Sequence, residues 1–372
     1  MTTCFRYIPL ILCASALFIY SCRKPKDKDE QPPNNDGGGT NTNRKVYILN
    51  EGAFNNSNAS VSRFDINTKT MTNDLFGQKN GRPLGDVLQS MAIIKGKAYF
   101  VMNNSNRIEV ANESDMSSVA VINGLAMPRY ITYSSISDKA YVTEWVGYDA
   151  SFNPQPTGRV SVIDVNNNTI VKTINVGSAP ENMILHNNKL FVANSNANTI
   201  SVIDINSETV INTITVEAGP ESFVKDNYDK IWVICKGRII YDFNPPDYVD
   251  EANSIAGALA RINPSTYQVE YTYHFTNNVG SPSRLQISPD KNWVYFTYES
   301  KVYKFPLYQT NPSPSLFINS NYYGLGVDMH TGNVYGGTYG FTSNQWMVRH
   351  TPAGAKIDSF QVGIGPNGFL FK

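Results

Sequence analysis

This sequence predicts an all-β fold: a seven-bladed β-propeller with four-stranded blades, its ring closed by the C-terminal strand joining the N-terminal blade. Three observations lead there. The stretch "SVIDVNNNTIVKTINV" (161–176) is nearly rewritten forty residues on as "SVIDINSETVINTITV" (201–216). An apolar strand of one type recurs seven times, as "VYILN" at 46, "AYFVM" at 98, "AYVTE" at 140, "LFVAN" at 190, "IWVIC" at 231, "VYFTY" at 294 and "VYGGT" at 334. The phase is offset at both ends, because the chain enters on the second strand of a unit and stops after a first strand, "PNGFLFK". Joining those ends removes two open sheet edges, a gain an open solenoid would not have.

Taken in order, the chain divides into three parts. Residues 1–21 hold the apolar run "YIPLILCASALFIY", 14 residues long. That is too short for a bilayer span and the right size for an export signal. The run ends at Ser21-Cys22, which resembles a lipoprotein cleavage site, so Cys22 is expected to be lipidated. Residues 22–45, after the cysteine "RKPKDKDEQPPNNDGGGTNTNRK", contain no apolar residue to bury and read as a solvated tether. Residues 46–372 are the propeller, seven units averaging about 47 residues.

Each unit starts with a strand led mostly by Pro or Gly, such as "PRYITYS", "PENMILH", "PESFVKD" and "PSRLQIS". The recurrent apolar strand follows, then a third of the "SVID" type and an outer one such as "VINTITV". In such a blade the connections 1–2 and 3–4 open on one face, and connections 2–3 and blade-to-blade open on the other. The first set consists of tight turns ("SDK", "NNK", "PDKN", "NNNT", "NSET") whose residues are turn formers. Asp65, Asp164 and Asp204 at the ends of third strands are expected to bond their own turns.

The second set is long and aromatic: 50–58, 76–89, 144–158, 236–255, 319–324 and 338–345. Long loops at one end of a rigid ring are where binding residues gather. Trp145, Tyr148, Phe152, Tyr241, Phe243, Tyr248, Tyr322, Tyr323, Tyr339 and Phe341 fall there. Glu51, Glu144, Glu181, Glu221, Arg129 and Arg284 fall at the channel mouth by the repeat register. They either ring a polar ligand or pair with one another to seal the mouth. The expected ligand contacts are Glu51, Phe54, Arg129, Trp145, Tyr148, Glu181, Asn194, Glu221, Arg284, Tyr323 and Tyr339.

Basic and acidic residues number 31 each, so the chain lacks the basic excess of a nucleic-acid binder. Of four cysteines, Cys4 and Cys13 leave with the signal and Cys22 is the anchor; Cys235 alone remains, which excludes an intrachain disulfide. No "GxSxG", "HExxH" or "CxxC" occurs, and His186, His274, His330 and His350 fall on separate elements. No catalytic residue, metal site or cofactor is therefore expected. The mouth carboxylates could hold calcium, which keeps a lactonase-like, cation-dependent hydrolase as an alternative.

"YVTE" and "FVAN" followed by "SVID" resemble the YVTN-type repeats of the YncE-like propeller family. "VYILNEGAFNNSNASVSRFD" (46–65) resembles the opening of Bacteroidetes surface lipoproteins of the cobalamin-capturing BtuG-like group. The acidic cluster Asp27, Asp29 and Glu30 is similar to a signal for the outer face of the outer membrane. These resemblances imply a cell-surface lipoprotein that captures a small molecule, a corrinoid such as cobalamin, and passes it to a TonB-dependent outer-membrane transporter. A surface propeller that docks a protein or glycan is the competing expectation.

Overall fold

The computed structural model describes residues 44–150, 153–242 and 248–372. The expected lipidated Cys22, the segments around it, Phe152 and Phe243 lie outside them. Seven four-stranded antiparallel sheets form the ring, together with one two-stranded hairpin. Among the described residues no helix is long and apolar enough to cross a membrane.

Second strands are the most buried, because they face neighbouring blades on both sides. Lys189–Asn194 (KLFVAN) is buried from its second residue onward, whereas the outer strand Thr209–Thr215 is mostly exposed. Successive blades interlock through their second and third strands: Val160, Val162 and Tyr141 of the third blade pack with Leu190, Val192 and Ile203 of the fourth. Tight turns join the strands as their sequences require, the Asp204 carboxylate accepting from the Asn206 and Ser207 amides at 3.0 and 2.9 Å. Asp65 and Asp164 do the same in their own turns.

The first blade joins both ends of the chain. Pro366–Phe371 is its inner strand and pairs with Lys45–Asn50, in the register Val46↔Phe371 and Ile48↔Phe369. The amides of Lys45 and Lys372 bond each other's carbonyls at 2.8 and 2.9 Å. Glu113 of the next blade holds Lys45 and Lys372 at 3.2 and 2.5 Å. Arg44 reaches Asp328 of the seventh blade at 2.6 Å. Arg44 and Lys45, at the end of the stretch read as a tether, are thus tied to the ring through the buried carboxylates of Asp328 and Glu113.

The seventh copy of the repeat reads "VYGGT" for a physical reason. A Cβ on Gly337 would lie 2.2 Å from the Pro366 carbonyl oxygen, so the blade meets the closing strand backbone to backbone. Two of the long connections also carry structure that the sequence did not suggest. Leu75–Asn80, within a stretch read as loop, is a six-residue helix capped by Asp74 and Gly81 and pinned by buried Phe76. Arg238–Ile240 pairs with Asp250–Ile255 as a hairpin over the fifth blade.

Candidate functional site

All seven inner strands carry a register break just after their first residue. In six that residue faces the last residue of the second strand; in the sixth blade the break falls one position later, Ser283 facing Thr297 rather than Tyr298. The breaks fall after Pro366, Leu88, Pro128, Pro180, Pro220, Ser283 and Tyr322. A bulge re-aims the side chain of its extra residue. Here the extra residues include Asn367, Gln89, Arg129, Glu181, Glu221, Arg284 and Tyr323, one per blade. In five blades the residue directly before the inner strand has positive φ: Val87 at 60°, Met127 at 50° and Ala179 at 47°, with glycine at 219 and 365. In the sixth blade Ser281, two residues ahead of the strand, has φ 43°. Such backbone is strained for a residue with a Cβ and recurs where geometry serves a site.

The ring's polar groups interlock. The Arg129 guanidinium grips Glu181 of the next blade, Nε to Oε1 at 3.1 Å and Nη2 to Oε1 at 2.9 Å. Burial alone would lower the Arg129 pKa, and the Glu181 carboxylate more than offsets it, so the guanidinium is held more firmly protonated than usual. Glu221 accepts from the Arg284 backbone amide at 2.8 Å and from Ser222 Oγ at 3.0 Å. The Arg284 guanidinium lies 5.2 Å from the Tyr323 ring centroid and donates to the Asn367 carbonyl at 3.4 Å. Tyr323 in turn donates to Glu51, and burial first, then that carboxylate, pushes its phenol above the usual range. Tyr130, beside Arg129, is pushed up to about 12 by burial.

Two aromatic walls flank this polar ring from opposite sides. In the seventh blade Tyr323, Tyr339 and Phe341 meet edge to face, with centroids 5.1 to 5.9 Å apart. In the third blade Trp145 stands 6.1 Å from Tyr148 and under the Arg129 guanidinium at 4.6 Å. Between the third and sixth blades opens a pocket of about 280 Å³, lined in part by Trp145, Ser195, Asn196, Lys236, Arg238 and Ser281.

Of the residues expected at the mouth, Glu51, Arg129, Glu181, Glu221, Arg284 and Tyr323 come together around the axis, with Trp145, Tyr148 and Tyr339 on the walls. Phe54 is exposed at the tip of the first long loop. Asn194 is buried, its amide donating to Thr199 and Ser201 at 3.0 Å each. Glu144 does not join the ring. It is fully buried against Arg159 at 2.8 Å, the Ala126 amide at 2.5 Å and Ser161. Being the last residue of a second strand, Glu144 lies against the third strand rather than facing the axis. Gln89, Tyr130 and Asn367 were missed in the sequence; the signal was their place directly after, or one beyond, the residue that leads each inner strand.

Among the described residues no group of three or more His, Cys, Asp or Glu side chains is placed to hold a metal. His350 is locked in structure, its Nδ1 donating to the Gly354 carbonyl at 3.0 Å and its Nε2 accepting from Tyr322 at 2.7 Å. Cys235 is buried in the second strand of the fifth blade, and burial pushes its thiol well above the usual range.

Fold and mouth together define a seven-bladed propeller with one elaborated face. The chain belongs to the family described as a domain of unknown function, DUF5074, whose model matches residues 44–362. No curated protein matches it. Among solved structures it is similar to a functionally unknown protein from Desulfotomaculum acetoxidans, at 13% identity over 88% of this chain and 98% of that one, with a TM-score of 0.63. It is also similar to candidate 6-phosphogluconolactonases from Bacteroides fragilis (11% identity, 91% and 100% covered, TM-score 0.63) and Bacteroides uniformis (11%, 89% and 100%, 0.60). At such identities the likeness shows the fold alone.

Proposed function

We propose that this chain is a non-enzymatic, surface-anchored capture protein that takes a small molecule at its loop-rich mouth and delivers it to a TonB-dependent outer-membrane transporter. The observation that carries this reading is the pair of aromatic walls facing each other across a preorganised polar ring. That combination suits a ligand with flat apolar faces and a hydrogen-bonding periphery. A corrinoid such as cobalamin has this shape, and it is the ligand that the opening motif implies by resemblance. Anchorage through Cys22 on the outer face of the outer membrane completes the arrangement.

The mouth carboxylates favour binding over metal-assisted hydrolysis. Glu181 is engaged by Arg129, Glu51 by Tyr323 and Glu221 by a backbone amide. A metal would have to displace each of these partners. Thermal melts with cobamides, haem, sugars and divalent cations test the reading. A ligand at a hundred times its Kd should stabilise the protein by about 2.7 kcal/mol. Absence of any shift at saturating cobamide removes the corrinoid, and calcium-dependent lactone hydrolysis would replace capture by catalysis.

A further inference from the structure

The face opposite the mouth is not uniform. In the second to fourth blades the exposed residues of its turns are polar or glycine, with Ile136 as the apolar exception. In the fifth to seventh they carry Tyr228, Tyr308 and Met329, exposed at 69%, 40% and 42%. Tyr228 and Tyr308 meet edge to face at 5.0 Å across the gap between two blades. Asn227 donates to the Asp290 carbonyl at 2.7 Å, joining the same two blades. Beside them a groove of about 410 Å³ is lined by Pro289, Trp293, Tyr295, Lys304 and Pro352. The sector runs on to Asp328, where Arg44 is held and the chain enters the ring.

We infer that this aromatic sector rests on the lipid surface that holds Cys22, so that the mouth points away from the membrane. The inference relies on the proposed lipidation of Cys22 and not on the identity of the ligand. Residues 23–43, 21 in all, separate Cys22 from Arg44, a span of about 75 Å at most when fully stretched. The membrane is thus always within reach, and the chain leaves the ring on the same face as the sector. Tyrosine and tryptophan favour the headgroup region because one part of the ring is apolar and the other wet. Few contacts suffice, since anchoring makes the second contact intramolecular at millimolar effective concentration. Delivery to a transporter then requires the ring to roll over on its tether.

The test uses the full acylated chain in vesicles of phosphatidylethanolamine and phosphatidylglycerol, with hydrogen exchange read against the same chain in detergent. Exchange in 226–230, 306–311 and 328–333 should slow at least about threefold on vesicles, while 50–58 and 236–242 stay unchanged. A Tyr228→Ser/Tyr308→Ser double variant should lose the slowing, stay folded with a fall of only a few degrees in melting temperature for the lost ring pair, and still float with the vesicles. Slowing at the mouth instead, or at neither face, overturns the orientation. Intact mass reports the anchor separately: a Cys22 without acyl chains overturns anchor and orientation together and leaves capture standing.

Discussion

The Arg129–Glu181 pair offers the sharpest test of how the mouth is built. The Glu181 side chain is 3% exposed and that of Arg129 19%, so both charges are largely out of water. Replacing Arg129 with Met would strand a buried carboxylate, which costs about 3 kcal/mol at the lower end of such losses, given the partial exposure of the arginine. Glu181→Gln would leave the guanidinium its stacking on Trp145, worth about 1 kcal/mol, and should cost about 1.5 kcal/mol. With both replaced no charge is left unpaired, and the loss should stay near about 2 kcal/mol. The coupling is then about 2 to 3 kcal/mol, at the top of the usual range for contacting residues. For a ring of this length an unfolding entropy of about 2.1 cal/mol/K per residue makes 3 kcal/mol a fall of about 4 °C. Urea titrations of the four proteins supply the cycle. Losses that add within about 0.5 kcal/mol would refute the reasoning, since they would mean that water already screens the pair.

Three other predictions rest on the closure and on buried groups. Gly337→Ala places a methyl 2.2 Å from the Pro366 oxygen, so it should cost about 2 kcal/mol and speed hydrogen exchange in 366–371; an unchanged strand would refute the close fit. Burial raises the carboxyls of Asp328 and Glu113, but hydrogen bonds and cations more than compensate, Thr331 and Arg44 for the first and Lys372 and Lys45 for the second, leaving both below the usual range. Their stabilisation is complete above the ordinary carboxylate range and is lost as pH falls through the lowered values, so melting temperature should drop below about pH 4.5 and Glu113→Gln should flatten that limb. His350 is depressed by burial, so its NMR midpoint should lie below that of an exposed histidine; a midpoint at or above the ordinary histidine value would refute the burial of its ring.

The sequence made the ring legible because each blade repeats both its apolar period and its turn chemistry. It misjudged residues whose neighbours lie one strand away. Asn194 sits in a brace that recurs in the first blade, where Asn50 donates to Ser60 and Ser62 at 3.1 and 2.9 Å. Ser161 bonds Glu144 at the equivalent place. Polar residues ending second strands therefore bind the third strand, which periodicity cannot reveal. The same brace bears on the opening motif: Asn50, Ser60 and Ser62 of "LNEGAFNNSNASVS" hold scaffold, and only Glu51 among its polar side chains reaches the axial cluster. Likeness in that motif thus reports propeller architecture more strongly than ligand. The helix at Leu75–Asn80 escaped notice because six residues hold too few turns to show a helical period.

The bulge ring separates scaffold from site more cleanly than loop length does. Six equivalent backbone positions, and in the sixth blade Arg284 one residue further on, carry seven polar side chains, yet their chemistry is not repeated in any rotation of the ring. If sealing were their purpose, cations and carboxylates would pair around the whole circle. Among the described residues the ring closes one ion pair, Arg129–Glu181, while the Arg284 guanidinium has no carboxylate within ion-pair distance and Glu221 turns to a backbone amide. Gln89 and Asn367 add neutral amides, the first reaching Tyr130 at 3.4 Å and the second the Leu88 carbonyl at 2.9 Å. A near-symmetric scaffold holding an asymmetric set of donors and acceptors is what the proposed capture of an asymmetric ligand across the axis would require. Strain at Val87, Met127, Ala179 and Ser281 is what such placement costs in four of the blades, because the positive φ ahead of the inner strand fixes where the following side chains can point; glycine takes that conformation without strain at 219 and 365.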